Sequence, residues 1–417
     1  MNRLSIAAAL LILTSPVFAQ QVLVVDESGA RGDFTDIQPA VDAAVDGDLI
    51  LVKTGTYGPI SIDGKSISIS ADSGALPVLE AGIAIQNIAS NQSVLVQGLR
   101  VASSSAFDLL SIDNCPGAIL LQECQFGTGT ETAIFAQGVS IFACEAVTMV
   151  GVEVDVRDVS SGFITPVAVS AASSSIYLYD CDLESGTGES GIAAFGGIPA
   201  MPGATGPAAL ILTGTTALVS GCRFTGGKGG FAGTPNQFSR CTNAGDGGPA
   251  IQMREGFSEL SLHLVDSTLI PGQGGVASNG CVDGQMGDTE VEVQAGTFVD
   301  SATFARSYTV TPVVRVGETK VNLFLGQPGD FIWQMFSVNQ LASVFSPAVL
   351  GAIYPGSPFF FKYRGKLDAT GMKTRTVTLV PFGLPFVPLY EQVLYYNATE
   401  EFTVSNPQNV TLLGPGV

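Results

Sequence analysis

The sequence predicts an all-β chain: a parallel β-helix with an N-terminal capping helix over residues 22–302, then a small antiparallel β-sandwich over 303–417. Three observations predict it. An eight-residue apolar pattern recurs at coil-like spacings. An amphipathic helix stands just before the first repeats. The charge balance changes sign near residue 303.

The chain opens on Arg3, the apolar run IAAALLIL and the small-residue end VFA at Ala19. That order is a secretory signal peptide over 1–19, too short for a membrane span. No later apolar run approaches the ~18 residues that a spanning helix needs. The expected mature protein is exported, secreted or held at the cell surface, with no transmembrane segment. Gly makes up 50 of 417 residues and only 13% are charged. That composition, rich in Val, Ile, Ser and Thr, favours strands.

Residues 33–57 read DFTDIQPAVDAAVDGDLILVKTGTY. Thr35 or Asp36 caps a helix, Pro39 falls in its first turn, and Gly47 stops it. Ile37, Ala40, Val41 and Ala44 form one apolar stripe. A parallel solenoid leaves strand edges open at its ends, and this helix is placed to cover the first. LILV at 49–52 then reads as an early strand.

The repeat is apolar, any, apolar, any, any, small or apolar, any, apolar. It reads VLVQGLRV from Val94, ILLQECQF from Ile119, VTMVGVEV from Val147, IYLYDCDL from Ile176, ALVSGCRF from Ala217, LHLVDSTL from Leu262 and VEVQAGTF from Val291. Start-to-start spacings are 25, 28, 29, 41, 45 and 29, and the long ones contain Gly-rich inserts. Strand alternation points positions 1 and 3 inward and position 2 outward. Position 8 gives a predicted core ladder: Val101, Phe126, Val154, Leu183, Phe224, Leu269 and Phe298.

Residues 1–302 hold 10 Lys+Arg against 31 Asp+Glu, and 303–417 hold 8 against 6. That step marks a domain boundary near 303. The acidic first part makes nucleic acid an unsuitable partner, because phosphate is repelled.

The stretch DFTDIQPAVDAAVDGDLILVKTGTYGPISIDGKSISIS resembles the N-terminal cap and first coil of the pectin-lyase-like right-handed parallel β-helix superfamily. The nearest resemblance is to pectinesterases and related bacterial exported β-helix proteins, and it covers roughly 22–302. It implies the fold and admits polysaccharide chemistry. The polygalacturonase-type Gly-His-Gly and Arg-Ile-Lys motifs are absent, as is the pectinesterase-type Gln-Asp-Thr stretch. His263, the only His, sits at outward position 2, which excludes multi-His metal sites. Pectate-lyase-like members bind Ca2+ on outward carboxylates with an Arg or Lys as base. Here Glu123 and Asp180 share position 5, and Glu153, Asp182 and Arg223 are successive at position 7. These four carboxylates are the candidate metal ligands and Arg223 the candidate base. Ca2+ is the cofactor this pattern admits; a solvated charge ladder explains the same residues.

Three Gly-rich inserts follow Ser185, Thr225 and Pro271, and are expected either to form a binding face or to decorate the surface. Cys124, Cys181 and Cys222 fall at position 6, facing the core. Cys241 and Cys281 sit in successive inserts and are the candidate disulfide; Cys115 and Cys144 lie near turns. From 303 on, short strands alternate with Gly/Pro turns, which suggests the sandwich. It resembles the C-terminal β-sandwich modules of large exported proteins of environmental bacteria. Trp333, Tyr390, Tyr395 and Tyr396 form either a sugar-stacking platform or core. The sandwich is also placed to close the open end of the solenoid.

The leading functional expectation is a non-catalytic exported protein binding polysaccharide or another cell-surface component. The rivals are a Ca2+-dependent lyase on uronate polymers and a purely structural envelope or adhesin component.

Overall fold

A computed structural model describes residues 20–102, 108–127, 137–156, 166–192, 200–233, 242–277, 281–287, 289–301, 305–346, 351–397, 402–415 and 417. The expected signal peptide and Cys241 lie outside the described residues.

Residues 22–301 form three parallel walls. The first has ten strands and the other two have eight each. The chain visits the walls in rotation, so each coil adds one strand to each wall and the solenoid is a parallel β-helix. Positions 1–4 of the octet lie in the first wall. Positions 7 and 8 lie in the second. The position-8 ladder is in register from Val101 to Phe126, Val154, Leu183, Phe224 and Leu269.

The last octet is a correction. Val291–Val293 pairs with Ile251–Met253 in the third wall. The first wall continues with Thr297–Ser301, which sets Phe298 beside Leu262. Phe298 is 38% exposed at the open end, not part of the position-8 core. Alternation with period 2 marks a strand without saying which wall it joins, and a spacing of 29 happened to equal one coil.

Two corners carry the bends. Octet position 5 sits in the left-handed region in every coil from Gly98 (φ +71°) and Glu123 (+52°) to Gly221 (+66°) and Asp266 (+44°). Gly, Asn and Asp tolerate that region best. Where the residue after a corner is Cys, Ser or Thr, it returns a bond to the strand just left. Cys124, Cys181, Cys222 and Ser267 donate to the carbonyls of Gln122, Tyr179, Ser220 and Val265. At the other corner Cys115, Cys144, Ser174 and Thr215 do the same to Asp113, Phe142, Ala172 and Thr213. Thiol and hydroxyl are interchangeable there, which accounts for five free, buried cysteines. Cys281 is disulfide-bonded.

The capping helix is Ile37–Ala43. Asp36 rather than Thr35 caps it, accepting from Ile37 N at 2.7 Å. Lys65 Nζ donates to the carbonyls of Val41, Asp42 and Ala44, so a cation meets the negative end of the dipole. Ile37, Ala40, Val41 and Ala44 are buried on the first coil.

The described parts of the Gly-rich inserts are held to one another by backbone hydrogen bonds. Segments 186–192, 226–233 and 271–277 leave the second wall, and 200–208, 242–249 and 281–287 return to the third. Each set runs parallel within itself: Gly188 N bonds Lys228 O, Gly229 N bonds Gln273 O, Gly206 N bonds Asp246 O and Gly247 N bonds Gln285 O. Between the sets the bonds are antiparallel, as from Gly227 and Gly230 to Pro207 and Ala204. Donors recur every third residue, at Gly203 and Gly206 or Gly227, Gly230 and Gly233. That is the period of polyproline-II helices, packed as a two-layer slab. The layers approach too closely for side chains: a Cβ on Gly247 would lie 1.8 Å from Gly272 O, and one on Gly229 1.9 Å from Gly245 O.

The C-terminal module stacks a three-stranded sheet (Ser307–Val310, Thr319–Leu325, Met372–Thr378) on a six-stranded sheet with Phe360–Lys366 at one edge. Tyr308, Phe324, Ile332, Val393, Tyr395 and Val410 fill the space between them. The module does not close the solenoid's end, where Thr297–Ser301 stays largely exposed. It lies along the flank of the first wall. Leu49 and Leu51 pack with Val313, Phe386 and Leu413. Leu95, Leu120, Tyr177 and Leu218 pack with Tyr354 and Tyr390. The outward position-2 row is therefore buried from Leu95 to Leu218, because the module covers it, while His263 beyond it is half-buried. Gln122 locks the contact: its Nε2 donates to Gln408 Oε1 and its Oε1 accepts from Asn409 N, both at 2.8 Å.

Candidate functional site

The carboxylate ladder lies where position 7 puts it. Glu153 stands beside Asp182, and Asp182 beside Arg223, on adjacent strands of the second wall. Arg223 Nη1 lies 3.4 Å from Asp182 Oδ2, with both side chains about half exposed (51% and 49%). Glu153 accepts from Gln125 Nε2 at 3.2 Å. Exposed pairs of this kind contribute little. Glu123 and Asp180 occupy the left-handed corner, with Gly151 on the coil between them. Each presents an edge to solvent, yet the protein around it raises both carboxyl pKa values by desolvation. Ser307 Oγ, donating at 3.0 Å from the docked module, partly offsets the shift at Asp180. Among the described residues, no three His, Cys, Asp or Glu side chains converge as a metal-binding group. The structure thus brings together Glu153, Asp182 and Arg223 as a largely exposed row in which Asp182 Oδ1 is buried without a hydrogen-bond partner, and leaves Glu123 and Asp180 apart.

A cleft of about 610 Å³ runs between the solenoid corner and the module, lined in part by Arg100, Glu123, Gln125 and Pro312. Its other carboxylate, Asp72, is held by Lys53 and Arg315. Burial pushes Asp72 up, but those two cations outweigh it and hold the pKa below its ordinary value. Asp72 is therefore a tether between solenoid and module.

The most distinctive surface lies on the six-strand sheet of the module. Its outer face divides in two. Tyr390 and Gln392 are buried toward the solenoid. Farther along the same strand, Leu394 and Tyr396 continue the outer face beyond that contact. Strand alternation brings Phe331 and Trp333 from Phe331–Ser337, and Phe361 and Tyr363 from Phe360–Lys366, to the same side. Trp333 pairs with Tyr363 on one neighbour and Leu394 on the other. Phe402 joins through its pairing with Tyr396.

The rings form a connected surface. Centroids lie 5.0 Å apart for Trp333 and Tyr363, 6.2 Å for Phe331 and Trp333, 6.1 Å for Phe331 and Tyr396, and 4.8 Å for Tyr396 and Phe402. Phe361, Tyr363 and Phe402 are 54%, 52% and 41% exposed. A shallow hollow of about 290 Å³ opens between Trp333, Phe361, Leu394, Tyr396 and Phe402. Lys366 Nζ sits 4.1 Å over the Phe331 ring. Exposed apolar patches of this kind mark interaction surfaces. Flat rings with polar tips suit ligands with both apolar faces and hydroxyl edges.

Of the aromatics named from sequence, Trp333 and Tyr396 lie on this platform. Tyr395 is core between the sheets and Tyr390 is docked on the solenoid. Phe331, Phe361, Tyr363 and Phe402 complete the platform, and alternation along FFKYRGK was the signal that could have found Phe361 and Tyr363.

No family model and no curated protein matches the chain. No helix among the described residues is long and apolar enough to cross a membrane.

Proposed function

We propose that the mature chain is an exported, non-catalytic glycan-binding protein of the pectin-lyase-like superfamily. Its recognition face is the aromatic platform of the C-terminal module, and the β-helix is the rigid mount. The single observation that carries this reading is the cluster of six aromatic side chains left on one open sheet face. A sandwich that needed only stability would bury such rings, as its own core does with Tyr308, Phe324 and Tyr395. Export rests on the signal-peptide pattern that ends at Ala19.

The experiment is incubation of the mature chain with insoluble and soluble polysaccharides, with and without Ca2+. Protein retained on polymer and the chain length of the polymer are both followed. Retention without shortening supports the binding reading. Ca2+-dependent shortening with unsaturated products would replace it with the lyase reading and direct mutation to Glu153, Asp182 and Arg223. Neither effect would leave a structural envelope component.

A further inference from the structure

The aromatic face ends at an edge strand that also carries Lys362, Arg364 and Lys366. Phe360–Lys366 (FFKYRGK) is the last strand of its sheet, and Met372–Thr378 (MKTRTVT) is the last strand of the facing sheet. The two edges run side by side: Lys373 Nζ reaches the Lys366 carbonyl at 3.4 Å. Together they carry Lys362, Arg364, Lys366, Lys373 and Arg375, five of the eight basic residues of 303–417, and no carboxylate.

Among the described residues, the nearby acids Asp368 and Glu391 are already engaged. Asp368, in the connecting turn, accepts from Thr370 N, Thr370 Oγ and Met372 N. Glu391 is buried inside the sandwich, paired with Lys320 and accepting from the Tyr308 hydroxyl at 2.5 Å. The seam therefore has a surplus of positive charge in a chain whose net charge is −19.

Lysines on an edge strand also discourage strand-to-strand aggregation, and for that role exposed ammonium groups suffice. Arg364 differs. It is drawn inward, where its Nε donates to Gln334 Oε1 at 2.6 Å, while its Nη1 is buried with no hydrogen-bond partner. Leaving a guanidinium nitrogen desolvated and unpaired is costly unless an anion completes it. Burial and the neighbouring positive charges also depress the proton affinities of Lys362 and Arg364, with Arg375 repelling both.

We infer that this basic seam binds the anionic groups of a negatively charged polysaccharide, carboxylated or sulfated, whose sugar rings rest on the adjoining platform. Strand alternation makes the combination natural: Phe361 and Tyr363 face the platform while Lys362 projects to the opposite face. The inference rests on the glycan-binding reading and adds the charge class of the ligand.

The test uses dextran, dextran sulfate and alginate with the mature full-length chain. Dextran and its sulfate share a backbone and differ in charge. Wild type is expected to bind dextran sulfate, alginate or both more tightly than dextran, with an affinity that falls as salt rises. The exposed double variant Lys362→Gln/Arg375→Gln is expected to lose about tenfold in that preference while dextran retention stays unchanged. Trp333→Ala is expected to weaken charged and neutral polymers alike. An unchanged preference in the charge variant overturns the inference while the platform reading stands. A Trp333→Ala chain that binds every polymer normally overturns the platform reading instead. No retention on any of the three polymers overturns both. Salt-sensitive self-association, or capture on anionic phospholipid vesicles without glycan binding, each abolished by the charge variant, overturns the inference by giving the seam another partner.

Discussion

One sheet face of the C-terminal module does two different things. Near the solenoid, Tyr390 and Gln392 are buried, and Gln392 bonds the Ala352 and Ser405 carbonyls, each at 2.8 Å. Farther along the sheet, Tyr363 and Phe402 are exposed and Trp333 and Tyr396 half-buried beside them. The chemistry of the two halves is similar, since both are aromatic. The difference is a partner: the first half has one in this chain, and the second has none among the described residues. Apolar area that gains nothing from folding calls for another explanation, and a bound ligand supplies it.

Mutating the halves separately should separate stability from binding. Tyr390→Ala is expected to have the largest effect on stability, about 3–5 kcal/mol, because it empties a packed site between module and solenoid. Thermal unfolding measures it. Trp333→Ala, on the open half, is expected to cost about 1 kcal/mol or less. If the open half proves as costly as the docked one, the platform is structural.

Gln122→Leu comes next, at about 1–3 kcal/mol. It leaves Gln408 and Asn409 N without their partner in a buried contact. Chemical denaturation should show the loss, and an unaltered midpoint would mean that the apolar row alone holds the module.

The smallest effect is pH-dependent. Asp72 has a folded pKa below its unfolded value, so its contribution is fully present above the ordinary carboxylate range. It is lost as pH falls through the depressed value. Wild type should therefore lose more stability than Asp72→Asn between pH 7 and about pH 3. Parallel curves for the two chains would show that the Lys53–Asp72–Arg315 tether does not titrate with folding.

Much of the solenoid was legible. The helix stripe at Ile37, Ala40, Val41 and Ala44 and the ladder from Val101 to Leu269 follow from spacing alone, because each coil repeats the same inward set. What spacing could not say is what lies against the outside. Leu95, Leu120, Tyr177 and Leu218 at position 2 are large and apolar on a face expected to meet water, and that was the overlooked sign of a docked module. The glycine slab was missed for a related reason. Gly203 and Gly206, or Gly227, Gly230 and Gly233, recur every third residue, a period outside the helical and strand templates. Gly245→Ala should disrupt the slab, since its Cβ would meet a backbone carbonyl; Gly127→Ala, with only an ordinary contact at 3.5 Å, should not. Loss of amide-exchange protection at Gly230 and Gly248 in the first variant alone would report it. The platform was half legible: Trp333 and Tyr396 stood out by residue type, but only the strand phase separates them from the buried Tyr390 and Tyr395.

Trp333 is the only tryptophan in the chain, so its fluorescence reports the platform without labelling. The most direct measurement is a titration of the mature protein with soluble oligosaccharides derived from a polymer that retains it. The account predicts a saturable shift in Trp333 emission, with an affinity matching retention on the polymer and abolished in Tyr363→Ala. Saturable binding by calorimetry with Trp333 emission unmoved would contradict it and place the glycan elsewhere on the molecule.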